Sequence, residues 1–83
     1  MDMEEEIRNH ILQRHLAGED PKRLKNDDDL ILSGVLDSLA IAELAAHLKR
    51  QYRLELQPVD IVHENFGSIQ ALAKFVKRKM GTG

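Results

Sequence analysis

A carboxylate and a hydroxyl, Asp37 and Ser38, stand where a loop gives way to a helix-forming run. The six residues at that point are Gly34-Val35-Leu36-Asp37-Ser38-Leu39. Gly34 carries no Cβ and lets the chain bend. Asp37 or Ser38 can cap the helix, because either side-chain oxygen can accept from an unpaired first-turn N–H. The same helix end presents free N–H groups and a partial positive charge, which suits a phosphate. The chemistry open to Ser38 is therefore capping, or standing beside a phosphate.

Other arrangements carry less. A serine nucleophile needs a base held close to it. His47 lies nine residues along the same run, about 13 Å of helical rise away, and His63 has no supporting third group. His10 and His15 lack companions that would make them metal ligands and fit packing or surface roles. Asp27-Asp28-Asp29 does not alternate its acids and lacks the closing Glu of a calcium loop, so it reads as a solvated acidic loop. The chain has no cysteine and hence no thiolate site or disulfide framework. No constellation for catalytic turnover emerges, and the expectation is a protein that is not an enzyme.

These residues need elements to position them. Met3, Ile7, Ile11, Leu12 and Leu16 fall on one stripe at helical spacing and predict a helix over about 3–16, with Gly18 as its stop. A loop over 17–36 follows, with its own apolar anchors at Leu24, Leu30, Ile31, Leu32, Val35 and Leu36. The run after Ser38 predicts a second helix over about 38–51, with Ile41, Leu44, Ala45, Leu48 and Tyr52 as its core stripe. Tyr52, Leu54 and Leu56 alternate with polar residues, but no second strand-like run exists to pair with them, so they predict an extended connector. Pro58 opens a short helix over about 58–63. Asn65-Phe66-Gly67 is a turn with Phe66 as a core plug. Ser68 caps a last helix over about 69–79, buried through Ile69, Leu72, Ala73, Phe75, Val76 and Met80, with Gly81-Thr82-Gly83 fraying beyond it. The prediction is an all-α four-helix bundle, three helices long and one short, with a long loop packed across it after the first helix.

Eighty-three residues form one domain, 1–83, with 42% hydrophobic residues and a net charge of −2. The charge is uneven: residues 1–38 hold 10 acids and 5 bases, and residues 39–83 hold 4 acids and 7 bases. Neither half makes a nucleic-acid patch, and aromatic side chains for stacking on bases are scarce. No apolar run is long enough to span a membrane and no signal-peptide pattern opens the chain. The expectation is a soluble cytoplasmic protein, monomeric, with neither nucleic acid nor membrane as partner.

Gly-Val-Leu-Asp-Ser-Leu resembles the modification site of the acyl carrier and peptidyl carrier proteins. The resemblance continues through Gln57-Pro58-Val59-Asp60-Ile61 and Glu64-Asn65-Phe66-Gly67-Ser68-Ile69, and its pattern covers about residues 5–79. It implies an acyl-carrier-like bundle in which Ser38 carries a covalent 4′-phosphopantetheine arm that holds acyl or aminoacyl groups as thioesters. It further implies that Asp37 helps a phosphopantetheinyl transferase recognise the site and that Leu39 packs beside the arm. Leu39, Ala42, Glu43 and Ala46 would form the face met by partner enzymes. Those partners would be a loading ligase or adenylation enzyme, and ketosynthase or condensation-type enzymes. Ala40, Lys49 and Arg50 stand where fatty-acid carriers are acidic. The resemblance therefore points to a stand-alone carrier of specialised polyketide or nonribosomal-peptide metabolism. The alternatives are a helical interaction module in which Ser38 is only a cap, and a small DNA-binding bundle.

Overall fold

The computed structural model describes residues 2–15 and 24–81. Within them the order is α1 (Met3–His15), α2 (Ser38–Tyr52), a 3-10 turn (Pro58–Asp60), α3 (His63–Phe66) and α4 (Ile69–Gly81). No strand forms among the described residues. The predicted all-α bundle is what the chain adopts. The expected roles of Leu16 and Gly18 lie outside the described residues.

Each long helix forms where its apolar spacing lets it bury one stripe. Glu4, Glu5 and Glu6 occupy the first turn of α1, where the helix dipole favours acids, and Ile7, Ile11 and Leu12 are its buried face. On α2 the buried residues are Ala40, Leu44, Ala45 and Leu48, while Ile41 and Tyr52 are only half-buried. α4 buries Ile69, Leu72, Ala73, Phe75 and Val76 and packs against each of the other three helices. Ser68 Oγ accepts the Ala71 N–H at 3.0 Å, the predicted cap of α4. Phe66 is fully buried, its ring 5.9 Å from that of Phe75.

The structure departs from the sequence expectations at several points. Ala40 belongs to the core, so an acid there would be buried rather than presented to a partner. The segment expected as one short helix over 58–63 is split. Pro58–Asp60 is a 3-10 turn, Ile61 leaves helical geometry at φ −91°, ψ 76°, and a separate turn of α-helix, α3, takes in Asn65 and Phe66. Two adjacent β-branched residues, Ile61 and Val62, sit at the break, where their restricted χ1 disfavours a helix. Met80 is 51% exposed because α4 outruns the core, and Gly81 is still helical, while Thr82 and Gly83 of the predicted frayed end lie outside the described residues. Leu32 is 83% exposed and anchors nothing.

α2 ends on Arg53, whose φ of 55° and ψ of 47° are left-handed. Its N–H bonds Lys49 O, and so does that of Leu54, at 3.2 Å. Leu54 is buried and Leu56 half-buried, so the alternation marks a packed connector rather than a strand.

Candidate functional site

The start of α2 is built from behind by the loop. Leu30 and Leu36 are buried, and the Leu36 N–H bonds Leu30 O at 2.9 Å, closing a turned segment between them. Gly34 makes that closure with φ +86°. A Cβ at Gly34 would meet nothing within 4 Å, so backbone conformation, not crowding, calls for glycine. The Leu30 N–H bonds Gly67 O at 2.6 Å, and the Gln70 N–H bonds Asn26 O at 2.9 Å. These two bonds fasten the loop to the junction of α3 and α4.

Asp37 is the N-cap of α2. Its backbone is extended (φ −94°, ψ −175°), its Oδ1 accepts the Ala40 N–H at 2.8 Å, and its carbonyl accepts the Ile41 N–H at 2.8 Å. Ser38 is therefore the first residue inside the helix and is not the cap. This corrects the reading of Ser38 as a cap alone. Its side chain is exposed, and no acid stands in the first turn of α2. The remaining first-turn N–H groups and the helix dipole favour a phosphodiester here, with the capping Asp37 carboxylate set against it. A hydroxyl next to that end, free of capping duty, fits a phosphate-linked group.

Leu39, next to Ser38, is 69% exposed. Ala42 and Glu43 are exposed and Ala46 is half-buried, so the predicted second face of α2 does point outward. Glu43 is engaged by Arg14 of α1 at 3.8 Å, both side chains largely in solvent. Lys49 and Arg50 are exposed in the last turn. Val59, Ile61 and Val62 add exposed apolar side chains between α2 and α3.

The acidic triplet Asp27-Asp28-Asp29 is less solvated than its sequence suggests. Asp28 Oδ2 accepts the Lys25 N–H at 2.9 Å. Asp29 Oδ1 accepts the N–H groups of Ile31 and Leu32 at 3.0 and 2.8 Å, and its Oδ2 lies 2.7 Å from His63 Nε2. The Leu32 N–H and then His63 hold the Asp29 carboxyl below its ordinary pKa. His63 thus has a carboxylate partner that sequence inspection did not supply. The pair joins the loop to α3, and no signal at that separation could have found it. Among the described residues no group of three His, Cys, Asp or Glu side chains is arranged to hold a metal ion, and no helix is long and apolar enough to cross a membrane.

A family model described as a phosphopantetheine attachment site matches residues 7–76. No curated protein matches the chain.

Proposed function

The chain belongs to the phosphopantetheine attachment-site family, and from that premise we propose that Ser38 is the residue that carries the arm. Members of this family hold a covalent 4′-phosphopantetheine on a serine. The observation that carries the assignment is the division of labour at the start of α2: Asp37 caps the helix and leaves the exposed Ser38 hydroxyl available. Attachment forms a bond from Ser38 Oγ to the pantetheine-bearing phosphorus of coenzyme A. The phosphoanhydride bond breaks, adenosine 3′,5′-bisphosphate leaves, and a base of the transferase takes the hydroxyl proton. The arm supplies a thiol, which this cysteine-free chain lacks. Asp37 presents the site to the transferase, and Leu39 offers an apolar surface beside the arm.

In this reading the protein is an acyl or aminoacyl carrier that performs no turnover itself, working in the cytoplasm. Leu39, Ala42, Glu43 and Ala46 meet its partners: a loading ligase or adenylation enzyme, and ketosynthase or condensation-type enzymes. Support for a specialised polyketide or nonribosomal-peptide role comes from the last turn of α2, where Lys49 and Arg50 oppose the acidic character of a fatty-acid carrier.

Incubation with coenzyme A and a promiscuous phosphopantetheinyl transferase tests the assignment. Intact mass spectrometry should show one arm added to the wild type and none to Ser38→Ala. Modification of the Ala variant would place the arm elsewhere. Loading of the armed protein by candidate ligases then separates acyl from aminoacyl cargo.

A further inference from the structure

Three polar contacts cross from α1 to α2 in a single row. Tyr52 donates its hydroxyl to Glu6 Oε1 at 3.3 Å. The imidazoles of His10 and His47 stack with ring centroids 3.6 Å apart and planes 9° from parallel. Arg14 meets Glu43 at 3.8 Å. Positions 6, 10 and 14 are one helical turn apart on α1, and their partners 52, 47 and 43 descend α2, so the helices run antiparallel along the row. The buried stripe of α1 packs with α4 in the apolar core. The row is a separate, polar attachment of α1 to α2.

We propose that the stacked imidazoles of His10 and His47 form a proton-operated clasp between α1 and α2, closed while the rings are neutral and released when acid charges both. The outer rungs, Tyr52–Glu6 and Arg14–Glu43, do not require a neutral imidazole. The central rung does. One charged ring against a neutral one is tolerable, but two charges at stacking distance repel strongly, so the two rings titrate as a coupled pair.

The surroundings oppose positive charge as well. From α1 the groups facing the pair are Glu6, Arg14 and His15, whose ring stands edge-on to His10 at 6.5 Å. From α2 they are Glu43, Arg50 and Tyr52. The two acids are already engaged, Glu6 by Tyr52 and Glu43 by Arg14. Among the described residues, the charges that shift the two rings come from α1 and α2. Burial, then His47, His15, Arg14 and Arg50, lower His10 from 6.5 to about 4. Burial, then Arg50 and Arg14, lower His47 also. Because the folded values lie below the unfolded ones, the stability that the neutral rings contribute is fully present above pH 6.5 and falls as pH drops toward about 4, where the folded His10 itself takes up a proton.

The intact protein carries its own reporter. Tyr52, at one end of the row, is the single tyrosine, and there is no tryptophan. Histidine ring resonances followed by NMR between pH 8 and 4 should show His10 still neutral at pH 6 and His47 titrating below the ordinary 6.5. Below that, tyrosine emission should change together with their titration while far-UV helicity persists. The double variant His10→Phe, His47→Phe keeps an aromatic stack without titratable rings, and its emission should lack the change that follows the ring titrations in wild type down to pH about 4. Wild-type rings titrating near the ordinary 6.5 would overturn the proposal without recourse to any variant. So would the same acid response of Tyr52 in the double variant.

Discussion

Asp37 Oδ1 accepts the Ala40 N–H at 2.8 Å across the first turn of α2, and the intervening Ser38 hydroxyl takes no part in that bond. Capping thus rests on Asp37 alone, and attachment, as proposed, falls to its neighbour. Asp37→Ala should cost about 0.5–2 kcal/mol, the usual loss for a removed N-cap. Ser38→Ala should change stability by less than about 0.5 kcal/mol, as exposed positions do. Urea melts of the two variants rank them, and a larger loss at Ser38 would mean that the hydroxyl is structural.

Two glycines should fail for different reasons. Gly34→Ala puts a side chain at φ +86° in open space, so its cost is conformational, about 1 kcal/mol. Gly67 is in ordinary right-handed geometry, but a Cβ there would lie 2.5 Å from the His63 carbonyl oxygen. Gly67→Ala should therefore cost more, about 1–3 kcal/mol, through overpacking. Thermal melts should give that order, and an equal or reversed order would refute it.

Arg53 should be improvable. A non-glycine residue at φ 55° is strained, and glycine is the usual occupant of a helix end in this conformation. Arg53→Gly should raise stability by about 1 kcal/mol, or about 4–8 °C in Tm for a domain of this size. Arg53→Ala keeps the strain and serves as the control. A gain in both variants would point to the removed charge instead.

The Asp29 carboxyl predicts a second pH effect, distinct from that of the histidine stack. Its folded pKa is depressed below 3.8, chiefly by the Leu32 N–H and then by His63. A depressed carboxylate contributes stability above its unfolded value and loses it as pH falls through the folded value. Wild type should thus be more stable than Asp29→Asn at pH 5, with the gap closing below pH 3.8. Melts at a series of pH values measure the gap, and a gap constant down to pH 2.5 would show that charge plays no part.

What was legible in the sequence was local. The periodic stripes of α1 and α4, apart from the exposed Met80 and from Leu16 outside the described residues, follow from spacing and residue type, as do the Ser68 cap and the Phe66 plug. The face of α2 was half legible. Small residues at 40, 42 and 46 look alike in sequence, yet only Ala40 is buried, because helix orientation is set by partners rather than by the helix itself. In the loop, Leu30 and Leu36 are buried while Leu32 is not, a choice made by turn geometry rather than hydrophobicity. Contacts between distant side chains left no trace at all. His63 with Asp29, and His10 with His47, depend on how the helices are placed, and neither partner has a neighbour that announces it.

The loop's attachment to the start of α4 runs through main-chain atoms: the Leu30 N–H to the Gly67 carbonyl, and the Gln70 N–H to the Asn26 carbonyl. Every non-proline residue supplies the same donor and acceptor. The frame that holds the start of α2 thus depends on few loop side chains: the buried leucines that seat the strap, Gly34 at its turn and Asp29 through His63. Exposed positions such as Leu32, Leu39 and Val59 are under no such obligation to the fold. Evolution can rewrite that outer surface for new partners without re-aiming the serine.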